Sequence, residues 1–216
     1  MMKGMDVLKD ARKMTIFLLL FYIVGFVGLI VPASRDLFTQ LTPFTLLLSA
    51  FLLYLHHKGR LKSKVLMVFA FIFVASIVVE MIGVQTGVIF GSYKYGDGLG
   101  LKIMDTPVLI GLNWLLLIYL TANLVQKTVL PVLFRVPVAA LLMVVYDLVM
   151  EQVAPKMDMW SWTGNRVPFA NYVAWFALSL LFHGLLEWSG LKIKNKLAAP
   201  LLAIQFVFFV ILLIWM

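Results

Sequence analysis

Seven apolar segments, separated by short polar connections, account for most of this 216-residue chain. They cover residues 14–31, 42–55, 65–84, 106–125, 136–153, 168–186 and 198–216. A helix that crosses the hydrocarbon core of a bilayer needs about 20 residues, and most of these segments approach that length. The pattern predicts an all-α, polytopic membrane bundle of about seven transmembrane helices, which forms one domain over residues 1–216.

The composition excludes most other classes of protein. Apolar residues make up 63% of the chain and charged residues 13%, whereas a soluble domain has about 45–50% and about 25%. The chain has no cysteine, which excludes disulfides and iron–sulfur clusters, and its three histidines are too few for a membrane di-iron oxygenase. No dinucleotide-binding or Walker A motif is present. We therefore expect no metal and no cofactor.

The basic residues are divided unevenly between the two sets of connections. Thirteen of the 18 lie in the N-terminal tail and the second, fourth and sixth connections. Because positive charge favours the cytoplasmic face, this asymmetry predicts an N-terminus inside, a C-terminus outside and an odd number of spans. The net charge of +8 is then a topology signal and gives no reason to expect a nucleic-acid partner. We expect a multi-pass protein of the cytoplasmic membrane in contact with lipids. The sequence does not indicate its oligomeric state.

Three acidic residues lie where a bilayer penalises charge most. Glu80, Asp147 and Glu151 are inside apolar segments or at their ends, and such residues are candidates for a functional site. Asp147 and Glu151 are four residues apart and share one helix face. The predicted topology brings further polar and aromatic side chains to the same depth: Asn113, Trp114 and Asn171. The simpler interpretation is that these groups only hydrogen-bond the helices together.

The two long outer connections, residues 85–105 and 154–167, carry the other candidates. Tyr93 and Tyr95 alternate around Lys94, so in an extended segment both side chains face the same way. Trp160 and Trp162 repeat this pattern, for which an interfacial aromatic belt is the competing interpretation.

The histidines are predicted to lie near the opposite, inner end. His183 and Glu187 are four residues apart, which predicts a hydrogen-bonded pair or a lipid headgroup contact rather than catalysis. His56 and His57 end the second segment, where we expect them to be solvated.

Four motifs lie between about residues 80 and 180. They read Glu80-x-x-Gly83-x-x-Thr86-Gly87-x-x-Phe90-Gly91-x-Tyr93-x-Tyr95, Pro107 with Asn113-Trp114, Asp147-x-x-x-Glu151-x-x-Ala154-x-x-x-Asp158-x-Trp160-x-Trp162, and Val167-Pro168-x-x-Asn171-Tyr172-x-x-Trp175-Phe176. Together they resemble the integral-membrane carotenoid 1,2-hydratase family, often described as carotenoid biosynthesis proteins. That family acts on bisanhydrobacterioruberin or on the open ends of lycopene and γ-carotene. The resemblance implies a lipophilic carotenoid substrate and hydration of its terminal double bond to a tertiary alcohol.

The chemistry of hydration suggests roles for the candidate residues. A neutral carboxylic acid must protonate the alkene, a base must position and deprotonate water, and the walls must tolerate a carbocation. We assign the acid to Asp147 and the base to Glu80 or Glu151 as a hypothesis. The predicted substrate-binding residues, which supply π-faces and hydrogen bonds, are Tyr93, Tyr95, Asn113, Trp114, Asn171, Tyr172, Asp158 and Trp160.

Two alternatives remain open from the sequence. An isoprenoid isomerase or cyclase would use the same protonation and then lose a proton instead of gaining water. A small transporter would use the three acids as a proton or cation relay, but it also predicts polar residues at the inner ends of the same helices and a repeated half.

Overall fold

The structure, a computed structural model, describes residues 10–216, which fold into a bundle of eight α-helices. The helices are α1 (Ala11–Ile30), α2 (Arg35–Gln40), α3 (Thr42–His56), α4 (Ser63–Thr86), α5 (Leu109–Gln126), α6 (Val132–Val153), α7 (Phe169–Ser189) and α8 (Ala198–Trp215). Six of them, all except α2 and α3, are long and apolar enough to cross a membrane. The predicted all-α, multi-pass membrane bundle is confirmed.

The second predicted span is the exception in length. With 15 residues, α3 is about 22 Å long, which is shorter than the hydrocarbon core of about 30 Å. It does not extend backwards into residues 35–40. Those residues belong to the separate helix α2, because the chain turns at Leu41 and Pro43, which lacks an N–H, lies in the first turn of α3.

The connections separate into two ends of the bundle, as the charge pattern predicted. At one end, Lys58 N donates to Lys194 O (2.9 Å) and Gln126 Nε2 donates to Leu191 O (3.0 Å). These bonds join the second, fourth and sixth connections, and we call this the basic end. Of the predicted basic residues, Lys3 and Lys9 lie outside the described residues.

The opposite end carries the two long connections, and we call it the site end. The short helix α3 runs between the two ends, because Gly100 of the third connection packs against Pro43 and His57 pairs with Asn195 at the basic end. Helix α1 runs parallel to α8, since Tyr22 bonds to Gln205 and Gly25 faces Phe208. Seven helices therefore pass between the ends, one of them short.

Helix α5 lies at the centre of the bundle. It contacts α3, α4, α6, α7 and α8, and 13 of its 18 residues are buried. The other long helices expose apolar side chains along one face, as expected for helices in contact with lipid. Gly111 allows α4 to pack closely against α5, because a Cβ at this position would lie 2.6 Å from the carbonyl oxygen of Phe73 on α4.

Two short strand pairs order the site end. Strand β1 (Tyr93–Tyr95) pairs antiparallel with β4 (Trp160–Trp162), and β2 (Lys102–Ile103) pairs with β3 (Thr106–Pro107). The β1–β4 pair connects the two long loops and places its residues over the ends of α4 and α6. The predicted segment 106–125 consequently begins as a strand, and its helix starts at Leu109.

Candidate active site

The three predicted acids converge at the site end of the bundle. Glu80 lies on α4, whereas Asp147 and Glu151 lie one helical turn apart on α6. All three are buried, with exposed fractions of 4%, 0% and 3%. Within residues 10–216, the ion pairs involve only exposed or partly exposed groups at other positions, so no Lys or Arg neutralises these carboxyl groups. Neutral hydrogen-bond donors must stabilise whatever charge they carry.

Glu80 accepts three hydrogen bonds. Its Oε2 accepts from the hydroxyls of Tyr93 (2.6 Å) and Tyr95 (2.7 Å), and its Oε1 accepts from Trp114 Nε1 (2.9 Å). Both tyrosines come from β1, so the alternation predicted around Lys94 is confirmed. Burial, together with the charge of Glu80, raises the pKa of Tyr93 and of Tyr95, which keeps both hydroxyls protonated as donors.

Gly83 allows the tyrosine loop to reach Glu80. It lies one turn after Glu80 on α4, where a Cβ would lie 2.6 Å from the ring of Phe90 and 3.1 Å from the Tyr93 hydroxyl. Any larger residue would push this loop away from the helix.

Glu151 also accepts three hydrogen bonds. Its Oε2 accepts from the indole N–H groups of Trp160 (2.9 Å) and Trp162, and its Oε1 accepts from Asn171 Nδ2 (3.2 Å). The two tryptophans are buried and aim their polar edges at one carboxyl group, so the structure does not support the aromatic-belt interpretation. Trp162 is thus a site residue, and the sequence prediction did not include it.

Asp147 has far fewer partners than the other two acids. Its Oδ2 accepts from Asn171 Nδ2 at 2.9 Å, so Asn171 bridges Asp147 and Glu151. Its Oδ1 is buried and has no hydrogen-bond partner among the described residues.

A small cavity with two carboxyl groups in its wall lies between Glu80 and Glu151, and for these groups we call it the small polar cavity. Its free volume is about 20 Å³, which is enough for about one water molecule. Aromatic side chains form most of its wall: Phe90, Tyr93, Tyr95, Trp160, Trp162 and Trp175. Trp175 was not among the predicted site residues; it lies one turn after Asn171 on α7 and stacks on Trp114 with ring centroids 4.2 Å apart.

A polar groove on the site end adjoins this cavity. The rings of Tyr93 and Trp162, whose centroids are 5.0 Å apart, line both spaces. The groove also carries Gln85, Ser92 and Lys94. This aromatic pair is therefore the wall that separates the buried carboxyl groups from the polar surface.

Four predicted substrate-binding residues do not line this cavity, although one of them, Trp114, donates to Glu80 in its wall. Asp158 is exposed and accepts from Asp97 N (2.8 Å), which braces the two loops. Tyr172 is half-buried on α7 and lies outside the cavity lining. Asn113 is buried but faces a different, apolar cavity.

The loop bracing at Asp158 requires glycine at position 96. A Cβ there would lie 2.4 Å from the carbonyl oxygen of Asp158. We expect Gly96→Ala to lower the free energy of unfolding by about 1–3 kcal/mol, measured as thermal unfolding of the purified protein. Gly184→Ala is the control, because nothing lies within 4 Å of a Cβ at that position. Equal stability of the two variants would contradict the loop assignment.

The interactions predicted for the histidines are wrong. His183 contacts Thr121 Oγ1 (2.9 Å) and Ser179 O (2.8 Å) instead of Glu187, which accepts from Gln126 Nε2 (3.3 Å). His56 is buried, and the ring of His57 contacts the hydroxyl of Tyr119 at 2.7 Å. Burial lowers the pKa of His57.

Comparison with known proteins identifies the chain at the level of a family. A family model described as carotenoid biosynthesis protein matches residues 41–216. The comparison with curated proteins and the comparison with solved structures each gave no match.

Proposed function

Because the chain belongs to the carotenoid biosynthesis protein family, we propose that it hydrates a terminal double bond of an acyclic carotenoid end group. The reaction is the addition of water across the 1,2 position, which gives a tertiary alcohol on a C40–C50 carotenoid. Carboxyl groups perform both proton transfers, and we propose no redox cofactor.

The unequal supply of hydrogen-bond donors carries this proposal. Glu80 and Glu151 each accept three hydrogen bonds, which stabilise a negative charge. Asp147 accepts one and keeps one buried oxygen free. Three buried carboxylates without a neighbouring cation would repel each other, so one of the three carboxyl groups is protonated. The proton resides on the carboxyl group that accepts the fewest hydrogen bonds. Asp147 is therefore the acid, with a free oxygen from which to donate.

Glu151 is the better candidate for the base. It lines the small cavity, and Asn171 links it to Asp147. A water molecule in this cavity can donate to Glu151 and approach a carbocation that Asp147 has generated. Glu80 also lines the cavity, but none of the residues that donate to it in the described part of the chain also donates to Asp147.

The alkene is protonated first, and water then captures the carbocation. The Asp147 O–H bond breaks, its proton bonds to the less substituted alkene carbon, and a tertiary carbocation forms at the other carbon. The water oxygen bonds to that carbon while one water proton passes to Glu151. Transfer of this proton back to Asp147 restores the starting state. The indole and phenol rings around the cavity present π-faces that stabilise the cation.

Water and carotenoid reach the site from different phases in this proposal. Water comes from the polar groove past Tyr93 and Trp162. The carotenoid diffuses laterally from the lipid between the helices. We place the protein in the cytoplasmic membrane with the site end outward, because thirteen of the 18 basic residues belong to the opposite face by the charge pattern.

Pigment analysis after co-expression tests the proposal. In cells that make lycopene, we expect the wild-type chain to produce a carotenoid heavier by one water for each hydrated end, detected by liquid chromatography and mass spectrometry. Cells that express the Asp147→Asn variant at the same level are the control. Unchanged pigment from wild-type cells would contradict hydration of lycopene. A product of unchanged mass and altered absorbance would instead indicate an isomerase or cyclase.

A further inference from the structure

A second, larger cavity lies on the other side of α5 and α6 from the small polar cavity. Its volume is about 120 Å³, and its wall is largely apolar. Helices α1, α2 and α8, the start of α3 and the loop at Met157 and Met159 enclose it. None of the three acids lines this cavity.

One buried polar side chain in this cavity has no partner. Asn113 lines the cavity with an exposed fraction of 7%, and its Nδ2 forms no hydrogen bond among the described residues. A buried amide without a partner costs free energy unless a ligand completes it. The cavity therefore suits a molecule that is mostly hydrocarbon and carries one hydrogen-bonding group.

Asp147 lies between the two cavities. Successive residues of an α-helix are about 100° apart, so on α6 the direction of Asp147 falls between those of Met150 and Glu151. Met150 lines the apolar cavity, whereas Glu151 lines the small polar cavity. The carboxyl group of Asp147 therefore lies in the protein between the two cavities, although the wall of neither cavity includes it.

The apolar cavity reaches the lipid-facing surface of the bundle. Its lining includes Val24 on α1 and Leu41 before α3, which are 58% and 39% exposed. A lipid-soluble chain can thus reach the cavity from the membrane between these two elements. Phe38 of α2 covers this region, because its ring packs directly on Gly28 of α1.

We propose that this apolar cavity binds the end of an acyclic isoprenoid chain, and that Asn113 hydrogen-bonds the tertiary hydroxyl that the chain gains. The inference rests on the proposed hydration for the identity of that hydroxyl. It places Asn113, one of the predicted substrate-binding residues, in this apolar cavity.

The amount of lycopene that co-purifies with a variant unable to hydrate it measures the occupancy of the apolar cavity. The Asp147→Asn variant is expressed in lycopene-producing cells and purified in mild detergent, and bound lycopene per protein is measured by absorbance. Adding Gly25→Leu should lower this ratio at least about tenfold, because its side chain fills the cavity. A Cβ at Gly25 has only an ordinary contact, 3.8 Å from Phe208. Gly25→Ala should therefore fold and retain pigment.

Gly184→Leu is the matched control, because a Cβ at that position on α7 meets nothing within 4 Å. It should retain the pigment of its Asp147→Asn parent. If folded Gly25→Leu protein retains as much lycopene as Gly184→Leu, the cavity is not the binding site. That result leaves hydration by the wild-type chain intact. Conversely, loss of pigment only in Gly25→Leu supports the site even if wild-type cells form no hydrated product.

Discussion

Replacement of Asp147 by asparagine is expected to reduce formation of the hydrated carotenoid at least about a hundredfold, the usual contribution of a general acid. Asparagine keeps the shape of the side chain and an oxygen to accept from Asn171, whose Nδ2 lies 2.9 Å from Asp147 Oδ2. It cannot supply a proton to an alkene. The measurement is the ratio of hydrated pigment to lycopene in cells with equal amounts of each protein.

Glu187→Gln is the matched control for this prediction. Glu187 is a half-buried acid at the basic end, where it accepts from Gln126. Its amide variant should hydrate lycopene as the wild type does. Normal hydration by Asp147→Asn would contradict the assignment of the acid. Equal loss in both variants would mean that replacement of an acid anywhere in the bundle, and not removal of this proton, lowers the yield.

Glu80→Gln is expected to destabilise the protein. The carboxylate accepts from Tyr93, Tyr95 and Trp114, and hydrogen bonds to a charged acceptor contribute more than neutral ones. A glutamine must also direct its amide N–H groups at one set of these donors. We expect the free energy of unfolding to fall by about 2–4 kcal/mol.

The comparison with Asp147→Asn separates structural from chemical roles. Asp147 has a single donor, so its amide variant should lose less than about 1 kcal/mol while losing activity. Thermal unfolding of both purified variants, followed by tryptophan fluorescence, measures this difference. If Asp147→Asn is destabilised as much as Glu80→Gln, the acids serve mainly to hold the helices together. That was the simpler interpretation of the sequence.

The sequence allowed the depth of the acids and the division of the loops to be predicted. A carboxyl group in an apolar segment is rare enough to stand out, and the spacing of Asp147 and Glu151 gives one helix face. The alternation of Tyr93 with Tyr95 similarly predicts side chains on one side of a strand, which the structure shows around Glu80.

Long-range pairing could not be predicted from one sequence. The antiparallel contact of β1 with β4 joins loops about 70 residues apart, and neither strand is long enough to carry a clear signal. Without that pairing, Trp160 and Trp162 are compatible with a membrane interface. Their indole groups instead bond to Glu151.

The contacts of a buried polar residue could not be predicted from the sequence either. Asn113 and Trp114 are adjacent in the chain, but Asn113 lines the apolar cavity whereas Trp114 donates to Glu80, because successive helix residues diverge by about 100°. His183 and Glu187 have the spacing of a hydrogen-bonded pair, yet Thr121 and Gln126 of α5 provide closer partners. The packing between helices determines such contacts, and the sequence of one helix does not determine that packing.

The origin of the oxygen atom in the product tests the central claim most directly. Membranes that contain the wild-type chain are incubated with lycopene in water enriched in oxygen-18, and the pigment is analysed by mass spectrometry. We predict a product heavier by one labelled water per hydrated end, and none from Asp147→Asn membranes. A product of unchanged mass, or the same label from both membranes, would contradict hydration by the carboxyl groups of this site.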